Sequence, residues 1–391
     1  MKHNWEYKPI GDCFAYIKNG ANIKQEKEAG GLPVTRIETL SNGVFNRSKM
    51  GYANIFEIGK YEPNVLNNGD LLMSHINSKT YVGRTVIYES LPNEVIIHGM
   101  NLLRLIPNDA VRSKFFYYTT LSHYFKSKIV NIRKDSVNQS SFSISDLKKI
   151  SIPVPPMEVQ ERIVAELDKI NETIEDCREL LRNLDALSQS LFYDFFGDPI
   201  TNPKKWQIKK IKEIGKVITG STPSTKVEDY YNSHDICFVK PGDIDNSISY
   251  ISDTKDYISN FAFDSCCRKL PMGTVVVTCI GIIGKVGILK VQANCNQQIN
   301  AVIPFDAINN IYLAYILKEY APLFTDAATG PVVKILNKSS FSEFSIPLPP
   351  LELQEKFAER IEQIEAQKKV VEDTIAELQT LLDSRMDYWF N

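Results

Sequence analysis

Histidine is scarce in this chain: five in 391 residues, with none paired at ligand spacing, which leaves no zinc-type cluster. The seven cysteines are odd in number, irregularly spaced and without a CxxC pair. That pattern excludes a disulfide framework and fits reduced thiols in a cytoplasmic chain. The adjacent Cys266 and Cys267 lack a nearby histidine and read as buried or inert thiols. No run of about 18 apolar residues exists, so no membrane partner is expected. The opening stretch, Met1 to Phe14, lacks the apolar core of a secretory signal. Enzyme motifs are missing as well. A phosphate-cradling loop needs Gly, four residues, then Gly-Lys-Ser/Thr. The nearest stretch, Gly281 to Val286, has the wrong spacing and no hydroxyl. A methyltransferase acting on base amines would carry Asn or Asp before Pro-Pro and an aromatic after it. Pro155-Pro156 instead follows Val154 and precedes Met157, and Pro349-Pro350 follows Leu348 and precedes Leu351. Asp243 with Asp253 and Lys255 is a loose match to a metal-dependent nuclease, and it carries the alternative reading, a stand-alone DNA nuclease.

What is present is a repeat. Residues 150–163 read ISIPVPPMEVQERI and residues 344–357 read FSIPLPPLELQEKF, 194 positions later. Ser151, Ile152, Pro153, Pro155, Pro156, Glu158, Gln160 and Glu161 recur unchanged as Ser345, Ile346, Pro347, Pro349, Pro350, Glu352, Gln354 and Glu355. The chain is therefore built twice, and at this length it holds two to three domains of ordinary size. With 43% hydrophobic and 24% charged residues, each copy has material for a real core. The net charge of −2 hides a division. Residues 157–197 carry −6 and residues 351–391 carry −5, so the rest carries +9.

Each repeated block opens a long helix. The Pro-Pro pair disfavours helix before it, and Glu158 and Glu352 suit the positive end of the helix dipole. Apolar residues then keep a heptad rhythm. In the first copy the seam runs through Ile163, Leu167, Ile170, Ile174, Cys177, Leu181 and Leu184, breaks at Ser188, and resumes at Leu191 and Phe195. In the second copy it runs through Phe357, Ile361, Ile364, Lys368, Val371, Ile375, Leu378, Leu382, Arg385 and Trp389. These are two coiled-coil helices of about 40 residues, about 60 Å each at 1.5 Å per residue. Pairing within one chain is the simplest arrangement, and an antiparallel pair would carry a globular load at each end.

The intervening segments read as mixed α+β domains. The expected boundaries are 1–155 for the first domain, 156–197 for the first helix, 198–349 for the second domain and 350–391 for the second helix. The two domains begin alike at Trp5 and Trp206, and end alike with Ser140-Ser-Phe-Ser and Ser339-Ser-Phe-Ser. Strands are expected around residues 70–74, 84–88, 274–280 and 285–289, and helical pieces over Lys114–Ser127 and Ile311–Leu323. Between these anchors the sequences diverge, which suits two modules reading different things. In the second module the lysines 204, 205, 209, 210, 212 and 216 form either a solvated face or a phosphate-contacting one. Thr222 and Ser224 offer hydroxyls near a turn, Lys240 and Asp243 flank another, and Lys285 follows a third. Gln297 and Gln298 supply amides of the type that reads adenine edges. In the first module Ser74, His75, Asn77 and Lys79 fill the place of the second module's residues 278–285. Arg133, Asn138 and Gln139 add donors before its exit.

At these residues the chain resembles the specificity subunits of type I restriction–modification systems. The doubled Ser-Ile-Pro-x-Pro-Pro-x-Glu-x-Gln-Glu block carries the likeness, with Phe192 to Pro199 and Asn202 to Trp206 after the first helix. Gly220 to Pro223, Pro241 to Ile244, Ile283 to Gly287 and Gln297 to Asn300 also fit the family's target recognition domains. The first module matches more loosely, through Gly69 to Met73 and Val82-Gly83, and lacks counterparts of Gly-Ser-Thr-Pro and Pro-Gly-Asp-Ile. The resemblance implies two recognition domains joined by an antiparallel coiled coil with pseudo-twofold repetition, each domain reading half of a split site in double-stranded DNA. It implies helices that fix the spacer and bind two modification subunits, which hold S-adenosylmethionine and methylate adenine N6. Restriction subunits with ATP and magnesium would join for cleavage. This chain itself would be non-catalytic, with no cofactor or metal of its own.

Overall fold

The computed structural model describes residues 5–26, 29–137, 139–330 and 332–391. Contacts divide the chain into two compact units, Met1–Cys177 with Thr374–Asn391, and Arg178–Asp373. The unit boundaries fall within the two long helices. Their ends are shared out between the globular cores.

In the first unit the order is β1 (Glu6–Pro9), α1 (Ile10–Cys13), β2 (Phe14–Asn19), β3 (Leu71–Ser74), β4 (Ile76–Asn77), β5 (Thr85–Ile87), β6 (Leu102–Pro107), α2 (Ser113–Leu121), α3 (His123–Ile132), β7 (Lys134–Asp135), β8 (Ser140–Ser141), α4 (Ile144–Lys149) and β9 (Ser151–Val154). The long α5 (Met157–Phe196) follows. The main sheet is antiparallel with strand order β2-β6-β3-β5. Side chains of a strand alternate between its two faces. Leu71 and Met73 accordingly join the cluster with Phe115, Phe116 and Phe125, while Leu72 joins a second cluster with Leu40, Leu66 and Tyr88. Both faces are covered, and β3 therefore reads as an unbroken apolar run.

The second unit repeats this plan. It contains β10 (Gln207–Lys210), α6 (Ile211–Ile214), β11 (Gly215–Thr219), β12 (Ile236–Val239), β13 (Ser249–Ile251), β14 (Tyr257–Ile258), α7 (Asn260–Ser265), β15 (Val275–Thr278), β16 (Val286–Leu289), β17 (Ala293–Cys295), β18 (Ile299–Pro304), α8 (Asn310–Glu319), α9 (Ala321–Ala327), α10 (Lys338–Glu343), β19 (Ser345–Leu348) and α11 (Leu351–Phe390). The sheet order β11-β18-β15-β16 matches β2-β6-β3-β5, with β13 added at the edge. Val275 and Val277 face the helices, while Val276 faces the other cluster.

The expected helical pieces are each two helices. Ser122 ends α2 and caps α3 by accepting from the Phe125 amide, and Pro322 stands in the first turn of α9. A second difference concerns the Ser-Ser-Phe-Ser runs, which are not equivalent. The Phe142 amide donates to His75 O at 3.1 Å, and in the second unit Leu336 donates to Cys279 O at 2.9 Å. Ser143 caps α4 where Asn337 caps α10, so Ser339 to Ser342 lie inside α10. The offset of 194 therefore begins eight residues before the repeated block does.

The block itself closes each module. β9 pairs antiparallel with β1 and β19 with β10, so the strand that opens a module is held by the strand that leaves it. Just inside each long helix stands a buried glutamine. Gln160 accepts from Arg112 N at 2.9 Å and donates to the carbonyls of Ala110 and Pro155, both at 2.9 Å. Gln354 accepts from Asn309 N at 2.9 Å and donates to Pro349 O at 2.7 Å.

α5 and α11 are 40 residues each and run antiparallel within both units. Ile163, Leu167, Ile170, Ile174, Leu184, Phe357, Ile361 and Ile364 are buried. Leu181, Val371, Ile375 and Leu378 are half-buried. The polar seam positions are all satisfied. Lys368 bonds Asp185 at 2.7 Å and Glu365 at 2.9 Å, Arg385 forks onto Glu166, and Ser188 donates to Leu184 O at 3.0 Å. At the end of α5, Lys204 donates to the carbonyls of Asp194 and Phe195, both at 2.8 Å, and the Trp206 indole donates to that of Phe196 at 2.9 Å. These donors cap carbonyls that a helix end leaves unpaired.

Replacing either buried glutamine by leucine strands backbone groups in the interior. Gln160→Leu and Gln354→Leu should each cost about 1–3 kcal/mol, measured by denaturant unfolding.

Candidate nucleic-acid interface

In the second unit four loops meet beyond the ends of the sheet. The chain leaving β11 turns at Gly220, where an added Cβ would stand 2.2 Å from Asn296 O and 2.3 Å from Cys295 O. Only glycine allows that approach. Ser221 N then donates to Cys295 O at 2.8 Å, and the buried Asn294 amide donates to Ser221 O at 2.8 Å. This brings Thr222 onto Gln297, hydroxyl to amide oxygen, at 2.5 Å. Both residues are exposed, and the hydroxyl engages the amide oxygen, which leaves the amide NH2 out of this pair. Lys240 and Asp243 flank the adjoining turn. Asp243 accepts from Lys240 N at 2.8 Å and Lys255 N at 3.2 Å, and the Lys240 ammonium rests on Asp256 at 2.9 Å. Lys285 reaches Ile244 O at 2.6 Å, tying the hairpin β15–β16 to this turn. Gln298 is half-buried against the Asn296 amide, and Ser224 is exposed. Asn296 and Asn300 are buried and serve the loops from within.

In the first unit the fold turns part of the expected set inward. Ser74 and His75 are buried, so they organise the hairpin β3–β5 rather than face outward. His75 Nε2 meets the Asn19 amide at 3.1 Å, and burial pulls its pKa down to about 4. The buried His98, with Nε2 on Leu102 O at 2.9 Å, is likewise lowered to about 4 by burial. Asn77 is half-buried and donates to Ser74 Oγ at 3.1 Å. Lys79 and Arg133, far apart in sequence, converge on Asp135 at 3.4 and 2.7 Å, with the exposed Gln139 nearby on the β7–β8 turn. Asn138 lies outside the described residues. Hydrogen bonding also reassigns one pair: Ser74 N donates to Arg84 O as Thr278 N donates to Lys285 O, so the counterpart of Lys285 is Arg84, not Lys79.

The first unit does possess the Gly220 feature that its sequence hides. Gly20 leaves β2 with its Cβ position 2.0 Å from His98 O, and Ala21 N donates to His98 O at 2.8 Å. A register shift between Phe14 and Tyr16 consumes one extra residue in β2. The offset between the copies therefore falls from 201 at the modules' start to 200 at this glycine, and the tetrapeptide after it differs. Half of the lysine run of the second unit is committed to the fold: Lys204 caps α5, and Lys210 and Lys212 both bind Glu343.

The nuclease alternative finds its carboxylates otherwise engaged. Asp243 is a turn cap and Asp253 accepts from the Tyr257 hydroxyl. Among the described residues no three His, Cys, Asp or Glu side chains gather as a metal would need, and no helix is long and apolar enough to cross a membrane. All seven cysteines are free thiols, although Cys266 is exposed and not buried.

Duplicated modules of this frame, with polar loops gathered at the sheet ends of the second, define a class of repeat-built recognition protein. The chain belongs to the family described as the type I restriction modification DNA specificity domain, which matches residues 2–184 and 203–380. A putative type I restriction enzyme MjaX specificity subunit of Methanocaldococcus jannaschii is 29% identical over 394 residues, 93% of this chain and 88% of the relative. The EcoR124I/EcoR124II specificity subunit of Escherichia coli is 28% identical over 233 residues, 56% of each chain. The solved type I restriction–modification S subunit of M. genitalium shares the fold, with a TM-score of 0.58 at 15% identity over 99% of this chain and 96% of that one. The protein is a DNA-recognition chain of a type I system, a specificity component and not a catalytic one.

Two outcomes follow from this geometry. Gly220→Ala should cost about 1–3 kcal/mol, because the added methyl overlaps two carbonyl oxygens; thermal unfolding reads the loss. Lowered histidine pKa values mean that the unfolded chain binds more protons between about pH 6.5 and 4, so stability falls as pH drops through that window. Denaturation at pH 7.5 and 5 should show the decline, and His98→Gln should flatten it.

Proposed function

We propose that each unit reads one half of a bipartite DNA site, and that α5 and α11 set the unread spacer and seat two modification subunits. Those partners supply S-adenosylmethionine and the methyl transfer to adenine N6, and restriction subunits with ATP and magnesium add cleavage. The observation that supports the reading is the repetition itself: the two units share the strand order of their main sheet and the junction into each long helix, while the loops around those shared parts differ. Two partner-binding sites of one kind are the natural product of two helix copies in one register.

The reading places Thr222, Ser224, Lys240, Lys285, Gln297 and Gln298 against one half-site. It places Asn77, Lys79, Arg133 and Gln139 against the other. Phosphate neutralisation supplies affinity and is salt-dependent, whereas amides and hydroxyls in the groove supply sequence.

The test is to co-express the chain with the methyltransferase subunit encoded beside it and map methylated adenines across the host genome. Two short half-sites separated by a fixed spacer are expected. A continuous site, or no association with a methyltransferase subunit, would sink the reading. Binding of the assembled complex to its site should fall by about 10³–10⁵ between 50 and 200 mM salt if six to ten phosphates are neutralised. An affinity insensitive to salt would contradict clamping on the duplex.

A further inference from the structure

We propose that Arg36 and Met100 form a DNA-contacting corner in the first unit, equivalent to the corner that Lys240 and Gln297 form in the second. The inference rests on the DNA-reading role just described. It assigns two residues that sequence similarity does not connect, since Thr35-Arg-Ile-Glu-Thr and Val239-Lys-Pro-Gly-Asp share no obvious pattern.

The backbone supplies the connection. In the second unit Lys240 N donates to Asp243 Oδ2 at 2.8 Å and Asp243 N returns to Lys240 O at 2.9 Å. In the first, Arg36 N donates to Thr39 Oγ1 at 2.8 Å and Thr39 N returns to Arg36 O at 3.1 Å. A carboxylate cap and a hydroxyl cap thus close the same turn. Each turn leaves a parallel strand contact, Val34 beside Ile97 and Phe238 beside Asn294. The bond from Asn296 N to Val239 O has its equivalent in Gly99 N to Thr35 Oγ1, at 3.1 and 2.9 Å. Gly20 and Gly220 press on the carbonyls of His98 and Cys295, and two residues beyond those carbonyls stand Met100 and Gln297. The two positions therefore correspond through four independent contacts.

At this shared corner one position keeps its chemistry and the other changes. Arg36 is exposed and pairs with Glu38 at 3.6 Å, as Lys240 pairs with Asp256 at 2.9 Å. Such solvent-exposed pairs bind weakly, so a phosphate oxygen can replace either carboxylate. Beside the cation, Gln297 presents an amide with Thr222 fixing its orientation. Met100, 42% exposed, presents a thioether chain with no polar group to offer. An amide suits the N6 and N7 edge of adenine, whereas an apolar side chain suits the methyl of thymine. The cation anchors the backbone and its neighbour discriminates.

The experiment uses the full chain in complex with its methyltransferase subunit and selects from a pool of duplexes randomised over 30 base pairs. Arg36→Ala and Lys240→Ala should each weaken binding about fivefold near 0.15 M salt and lower the salt slope by about one. Met100→Gln should alter base preference in one half-site and leave the other unchanged. Unchanged melting temperatures verify folding. Wild-type behaviour of Arg36→Ala beside a weakened Lys240→Ala would overturn the corner while leaving the DNA-reading role intact. So would a Met100→Gln complex with changed preference in both halves or in neither. A wild-type complex that selects no sequence at all would overturn the role and the corner with it.

Discussion

Everything in this protein hangs from the junction where a short strand becomes a 40-residue helix. A helix start leaves its first amide groups without partners, and here the second proline of each pair, standing just before the first helical residue, removes one such donor outright. The strand side of the junction is held by pairing to β1 or β10. One buried glutamine then bonds the loop before α2 or α8 as well as the carbonyl of the first proline. Strand, loop and helix are thereby fixed at a single point in each unit. The direction in which the long helix departs is set by bonds, not by packing alone.

The far ends of the helices are secured differently. α5 ends among Phe192, Phe196, Tyr312 and Phe357, with Lys204 and Trp206 covering its last carbonyls. α11 ends with Trp389 stacked on Trp5 at 6.1 Å and Phe390 against Phe115 at 5.6 Å. Stability is concentrated where the helices touch the sheets' covering helices, which is why the compact units take up the helix ends.

Periodicity made the helices legible to within a residue at each end, because a heptad stripe and a Pro-Pro start are local signals. The covered strands Leu71–Ser74 and Val275–Thr278 were legible for the same reason: both faces are apolar. The loops were not. Gly20 looks like any surface glycine until a carbonyl 78 residues away is placed against it. Ser74 and His75 resemble a polar reading loop, but the partners that bury them, Asn19, Arg84 and Phe142, come from three other parts of the chain. The Ser-Ser-Phe-Ser coincidence misled because four matching residues weigh less than the hydrogen bonds that define equivalence. Local pattern speaks for elements, whereas contacts distant in sequence decide which loop side chains remain at the surface.

The polar seam residues have a consequence for a chain made by duplication. Helices that began as copies would pair as readily with themselves as with each other. Lys368 and Arg385 belong to α11 alone, where α5 has Ile174 and Leu191, and their carboxylate partners Asp185 and Glu166 belong to α5 alone. If α11 paired with its own kind, Arg385 would confront Arg360 and Lys368 would meet Gln379. If α5 did so, Glu166 would confront Leu191 and Asp185 would meet Ile174. Both homotypic unions strand charge, so the two helices discriminate mate from twin.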